Sequence, residues 1–202
     1  MMDRRNDDRG QAFTLEGLVA GVILLTSLLF ALQGVVVTPG APGADIEPET
    51  RQQAVDMLDL AEQEGWLDEM LRYVDTEDEG VTFYGATDTT VGYGSAIPDT
   101  DFGSLLEETF YERGKVVNVV LEHPRENGTG TATEPLIYRG EPPSASTVAT
   151  TTITLYSNQT LTGPDGGEVT LAEATASGDY PIPNADPDGP LHNVVHVRVI
   201  VW

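Results

Sequence analysis

The sequence has no cysteine, a single lysine and few basic residues of any kind. Each of these shortages excludes some classes of site or partner. Without cysteine there are no disulfides, no thiolate metal ligands and no cysteine nucleophile. The 202 residues include 33 Asp and Glu against 10 Lys and Arg, which gives a formal net charge of -23. Nucleic acids are bound through Lys and Arg on their phosphates, so we expect no nucleic-acid partner.

An acidic composition is also typical of disordered chains. Here apolar residues make up 40% of the sequence, and they follow helical and strand periods, so we predict a folded protein. The overall composition resembles that of haloarchaeal proteins, because Asp, Glu, Thr and Gly are plentiful and Lys115 is the only lysine. That resemblance implies a hydrated acidic surface in concentrated salt, where a Debye length of about 3 Å at 1 M screens self-repulsion.

One long apolar run without charge extends from Gly17 to Val37. As a helix it would span about 31 Å, the thickness of the hydrocarbon core of a bilayer. We therefore predict a hydrophobic transmembrane and assembly helix at 11–38, after a charged leader at 1–10. Arginines precede the run and acidic residues follow it, so the positive-inside rule predicts a single-pass cell-membrane protein with a cytoplasmic N-terminus.

The rest of the chain is predicted to be a Pro/Gly linker at 39–48 and an extracellular head at 49–202. Residues 49–74 show helical spacing of apolar side chains, interrupted at Gly65, and predict a short helical neck. Residues 193–202 alternate as a strand does. The side chains that alternation places on one face are Val195, Val197, Val199 and Val201.

Further β-rich segments occur at 115–123, 134–139 and 146–157. The predicted fold class is therefore α+β: a long N-terminal hydrophobic transmembrane helix, a short helical neck and a mainly antiparallel β-sheet head domain.

No pattern in the sequence indicates an enzyme or a metal site. The spacing of His192 and His196 suits a metal only on a helix. We predict a strand there, on which four residues span about 13 Å. The carboxylates form no recognisable catalytic pair, and there is no nucleophile elbow. We predict no catalytic residues, no metal and no cofactor.

The residues that enter the apolar run, 9–16, read Arg-Gly-Gln-Ala-Phe-Thr-Leu-Glu. They resemble the leader of a type IV prepilin, a class III signal peptide with a small residue at the cut and an early glutamate. The resemblance implies that a prepilin peptidase cuts between Gly10 and Gln11 and that Glu16 serves assembly. Glu16 is sixth counted from Gln11 and fourth if the cut follows Ala12. The family's glutamate is usually fifth, so both cleavage sites stay open.

Both ends of the chain also resemble an uncharacterised haloarchaeal family of pilin-like secreted proteins. The segments that carry this resemblance are TLEG, TITLYSNQTLTG and DYPIPNADPDGPLHNVVHVRVIVW. The implied function is structural: a minor pilin or pseudopilin in a surface or membrane-embedded filament. The implied partners are the membrane, the prepilin peptidase and other pilin-like subunits. The alternative is an uncleaved, membrane-tethered extracellular binding domain.

Two Asn-x-Thr triplets begin at Asn127 and Asn158. Such sequons accept N-linked glycans on the surface loops of secreted proteins. Because we expect the head to lie outside the cell, both asparagines are predicted glycosylation sites.

Overall fold

The structure is a computed structural model, and it describes residues 19–26, 48–74, 82–126, 130–164 and 167–202. The chain divides into two units, Met1–Pro42 and Gly43–Trp202. In the first unit the described residues are helical, and in the second they form an α+β domain.

The described part of the apolar run is the helical stretch 19–26. Among the described helices, none has the length and apolar composition needed to span a membrane. The predicted long N-terminal transmembrane helix is therefore wrong for the described residues, since none of their helices meets the requirements of a membrane span.

The helices described in the second unit are α1 (Pro48–Gln63), α2 (Trp66–Leu71), α3 (Asp101–Thr109) and α4 (Leu171–Ser177). Gly65 separates α1 from α2, as predicted, with a φ of 78° that glycine adopts without steric penalty. Helix α3 begins after Thr100, whose hydroxyl accepts a hydrogen bond from the backbone N–H of Gly103.

Helix α4 is an element that the sequence analysis missed. The hydroxyl of Thr170 accepts a hydrogen bond from the backbone N–H of Glu173 at 3.2 Å. The Glu173 carboxylate accepts one from the backbone N–H of Thr170 at 3.0 Å. This reciprocal pair is a capping box, and its Thr-x-x-Glu pattern is a helix-start signal that was present in the sequence.

The strands in the described part of the chain are β1 (Val117–Pro124), β2 (Thr131–Ile137), β3 (Thr147–Tyr156) and β4 (Leu191–Val201). They form one antiparallel sheet in the order β2-β1-β4-β3. The α+β class and the antiparallel sheet are thus confirmed for the head. The last strand of the chain lies in the middle of the sheet, where its alternating valines have strands on both sides.

One face of the sheet, here called the covered face, is buried. The predicted alternation of β4 is confirmed, because Val195, Val197 and Val199 are completely buried and Val201 is 1% exposed. On β1, Leu121 pairs with Val197 and is equally buried. The covered face therefore forms the sheet side of the hydrophobic core.

Helix α1 packs on the covered face through the buried residues Ala54, Met57, Leu58 and Ala61. The Thr151 hydroxyl of β3 also donates to the Glu62 carboxylate of α1 at 2.5 Å. The prediction of a helical neck is therefore wrong for α1, because this helix is part of the hydrophobic core of the head. Burial of each large apolar side chain contributes about 1.5–3 kcal/mol, which favours a helix packed on the sheet over one extended from it.

The opposite side, here called the open face, carries polar side chains. Its exposed residues include Thr150, Thr152, Thr154, Tyr156 and His196. An antiparallel sheet with one packed and one solvated face is the usual arrangement in α+β domains.

Candidate functional site

The loop at 82–93 lies against the outer edge of β2. The backbone N–H of Tyr93 donates to the Leu136 carbonyl at 2.9 Å. Gly92 lies at the closest approach with a φ of 60°, and any side chain there would collide with the same carbonyl. The loop thereby covers an edge strand whose backbone would otherwise be unpaired.

Asp88 fixes the shape of this loop. Its Oδ1 accepts hydrogen bonds from the backbone N–H groups of Thr90 at 2.6 Å and Val91 at 2.9 Å. A side-chain carboxylate that accepts from the next backbone groups is an Asx turn. The turn places the exposed Asp88 on the wall of a depression.

The depression lies between this loop and β2 and has a volume of about 230 Å³. Residues that line it include Phe83, Asp88, Gly92, Glu134, Pro135 and Pro181. It is smaller than the roughly 300–1,000 Å³ of typical ligand pockets. Its size suits a small ligand or one side chain of a partner.

His123, near the end of β1, contacts the Glu134 wall of the depression from the buried side. Its Nδ1 lies 3.0 Å from the Pro124 carbonyl oxygen and its Nε2 lies 3.8 Å from Glu134 Oε1. Burial opposes protonation, but Glu134 and the Pro124 carbonyl favour it more strongly, so the pKa of His123 is raised above 6.5. Protonated His123 therefore pairs electrostatically with Glu134.

The chemistry of the depression suits a small organic cation. Asp88 and Glu134 supply negative charge beside Phe83, which is 6% exposed, and carboxylates attract ammonium groups. Within the described ranges, no three His, Cys, Asp or Glu side chains are placed to hold a metal ion.

The other two histidines have different surroundings. His192 is fully buried, with its Nε2 3.0 Å from the Ile182 carbonyl oxygen and its ring edge-on to Tyr180. Burial lowers the pKa of His192, and the Ile182 carbonyl opposes this only in part. His196 is exposed on the open face, with its Nδ1 2.9 Å from the Thr152 hydroxyl.

The predicted processing residues Gly10 and Gln11, the predicted assembly residue Glu16 and the predicted glycosylation site Asn127 lie outside the described residues. Asn158 is described, and it occupies an exposed turn after β3.

The lining of the depression was missed by the sequence analysis. Segment 134–139 was predicted to be β-rich, and Glu134 does lie in β2, but its contact with the loop at 82–93 is tertiary. The available signal was Asp88 before two threonines, a turn-forming pattern with no indication of its partner.

Comparison with other proteins gives one match. Residues 9–201 match a family of unknown function, DUF7288. No curated protein and no solved structure matches the chain significantly. Since the family match covers nearly the whole sequence, this chain belongs to DUF7288, a family of unknown function.

Proposed function

We propose that the chain is a pilin-like structural subunit, a minor pilin or pseudopilin, of a haloarchaeal surface or membrane-embedded filament. The proposal is carried by the helical stretch 19–26, whose apolar side chains are exposed. The exposed fractions of Val22, Ile23, Leu24 and Leu25 are 54%, 58%, 71% and 61%. Contiguous apolar surface of this kind marks an interaction site.

Like helices of neighbouring subunits are the partners that suit this stretch. The run from Gly17 to Val37 carries no charge. No described atom lies within 4 Å of the position that a Cβ of Gly21 would occupy. A small residue in an apolar helix allows a second helix to approach closely. The head, by contrast, buries most of its large apolar side chains in its own core.

In this proposal the N-terminal segment is held at the cell membrane and the head is extracellular. A prepilin peptidase processes the chain near Gly10 and Gln11, and Glu16 takes part in assembly. Arginines before the apolar run and acidic residues after it support this orientation. Protease added to intact cells should digest the head. Protection of the head until the cells are lysed would contradict the orientation.

The lack of cysteine provides a direct test of assembly, because Leu24→Cys gives the chain its only thiol. In cells that make this variant at normal levels, a short bismaleimide should link neighbouring subunits into dimers. The matched control is Thr154→Cys, which places the thiol at an exposed position of the open face. Dispersal of the subunits in strong detergent before the reaction should abolish the Leu24→Cys dimers. Equal dimer yields from both variants, or yields unaffected by dispersal, would indicate random collision and would remove the support for assembly.

The processing step has its own measurement. The mass of the N-terminal peptide of the mature protein should show cleavage after Gly10 or after Ala12. Glu16→Gln should preserve the amount of processed protein while reducing co-purification with neighbouring subunits. Mature protein that retains residues 1–10 would exclude prepilin processing.

The depression beside β2 favours a second candidate, an uncleaved, membrane-tethered extracellular binding domain. Its carboxylates, Asp88 and Glu134, suit an alkylammonium group. Calorimetric titration of the full chain with tetramethylammonium should detect binding that Glu134→Gln weakens. Retention of residues 1–10 together with such binding would favour this candidate over the pilin-like subunit.

A further inference from the structure

We infer that Asn158 carries an N-linked glycan. The residue lies in the turn that follows β3 and is exposed, and its amide makes no hydrogen bond to any residue that the structure describes. Gln159 and Thr160 complete the Asn-x-Thr triplet, which is the acceptor pattern for N-glycosylation. The inference rests on the extracellular head of the proposed function, because glycan transfer requires that location.

The other asparagines in the described ranges are used by the fold. Asn118 and Asn193 are buried, and their amide N–H groups donate to backbone carbonyls at 2.8–3.1 Å. The Oδ1 of Asn184 accepts a hydrogen bond from the backbone N–H of Asp186 at 2.9 Å. None of these three is followed at the second position by Ser or Thr. The sequon and the free amide therefore coincide at Asn158, whereas every other described asparagine lacks both.

The middle residue of the triplet anchors the turn. The Nε2 of Gln159 donates to Asp68 Oδ1 at 2.8 Å, and its Oε1 accepts from the backbone N–H of Tyr156 at 2.7 Å. Asn158 and Thr160, on either side of it, are both exposed. A transferase can therefore reach the two recognised side chains without opening β3 or separating the turn from α2.

The transfer is a substitution at a sugar carbon. The Asn158 amide nitrogen forms a bond to the anomeric carbon of an oligosaccharide carried on a lipid phosphate. The bond from that carbon to the phosphate oxygen breaks, and the lipid phosphate leaves with the bonding electron pair. The amide loses one proton to the solvent, and nothing is oxidised or reduced. The co-reactant is thus a lipid-linked oligosaccharide phosphate.

The test is the mass of one peptide from the full-length protein, purified from cells that produce it. Cleavage after glutamate releases residues 142–168, whose only asparagine is Asn158. We expect the peptide mass to exceed the sequence mass by a sum of sugar residues. Asn158→Gln and Thr160→Val should each abolish this increment completely, whereas Thr160→Ser, which keeps the triplet, should retain it.

Two outcomes would overturn the inference. One is an unmodified wild-type peptide; the other is an increment that persists in Asn158→Gln, which would place the sugar on a threonine or serine of the same peptide. Protease treatment of intact cells, done in parallel, separates the inference from the proposed function. An unmodified peptide from a head that protease digests overturns glycosylation alone, whereas one from a protected head overturns both.

Discussion

The covered and open faces of the sheet use the same strands in different surroundings. On the covered face Leu121 and Val197 are completely buried. On the open face the exposed Thr152 and His196 contact each other at 2.9 Å. The period of two in a strand separates these sets of side chains. The comparison shows that alternation assigns a residue to one face of the sheet. The element that packs on that face then decides how strongly a substitution there affects stability.

The same comparison holds within the open face, part of which is covered by backbone. Asn118 belongs to this side yet is 1% exposed. Its Nδ2 donates to the Gly140 carbonyl at 2.8 Å, and its Oδ1 accepts from the backbone N–H of Arg139 at 2.8 Å. Buried polar groups need such partners. Where a helix covers this sheet, the strand side chains below it are therefore apolar. Where a loop covers it, the strand side chain below must form hydrogen bonds with the backbone groups of the loop.

The largest expected effect comes from truncation on the covered face. Leu121→Ala should lower the free energy of unfolding by about 2–5 kcal/mol, because it removes buried methyl groups and leaves a cavity. Its matched control, Thr152→Ala on the open face, should change it by no more than about 0.5 kcal/mol. Urea denaturation of the full chain in molar salt, followed by circular dichroism, measures both. Similar losses for the two variants would show that the open face is covered in the intact protein.

The next effect distinguishes two buried histidines by the sign of their pH dependence. The pKa of His123 is raised in the fold, so its stabilising effect is complete below the unfolded value of about 6.5. That stabilisation is lost as the pH rises through the folded pKa. The pKa of His192 is lowered, so the native state weakens as the pH falls below about 6.5, where the unfolded chain gains a proton that the fold disfavours.

The measurement compares wild type with His123→Gln and His192→Gln over this pH range. Loss of His123 should remove a decline in stability towards alkaline pH, and loss of His192 should remove a decline towards acid pH. Thermal unfolding in matched buffers reports both slopes. Slopes of the same sign in the two variants would contradict the assigned surroundings of one histidine.

Sequence alone predicted the alternating strand well and the helices less well. The valines of β4 were placed on one face correctly because a strand has an integral period of two. For α1, the helical spacing of apolar side chains was recognised, but it did not show which residues face the sheet: Val55 is 37% exposed, whereas Ala54 and Met57 are buried. A helical stripe can rotate by one residue and still look amphipathic. The packing of α1 on the sheet could not be predicted from this spacing.

The candidate site was less predictable, because it depends on contacts between distant segments. Asp88 and Glu134 share a depression only because the loop follows the edge of β2. Likewise His123 gave no sign in the sequence of its contact with Glu134. The sequon at Asn158 was visible, but its exposure and the anchoring of Gln159 came from the structure.

A smaller effect is expected where α4 adds Leu171 and Ala174 to the core. Thr170→Ala removes the N-cap of this helix and should lower the free energy of unfolding by about 1 kcal/mol. The control is Thr175→Ala in the same helix, because the Thr175 hydroxyl is buried without a hydrogen-bond partner in the described residues. Its replacement should be neutral or slightly stabilising. Equal losses from both variants, measured by urea denaturation, would contradict the capping role of Thr170.

The smallest effect is expected from the ion pair between Arg198 and Glu122 on the open face. Their side chains are 36% and 27% exposed, and ion pairs at such solvated positions contribute about 0–1 kcal/mol. A double-mutant cycle of Glu122→Gln and Arg198→Gln should give a coupling within that range at 0.1 M salt. The coupling should approach zero at 1 M, where the Debye length falls from about 10 Å to about 3 Å.

A coupling well above 1 kcal/mol that persists in molar salt would mean that the pair is shielded from solvent. Because the described residues leave the Arg198 and Glu122 side chains 36% and 27% exposed, we would assign such shielding to a neighbouring subunit, and the open face would then be an assembly surface of the proposed filament.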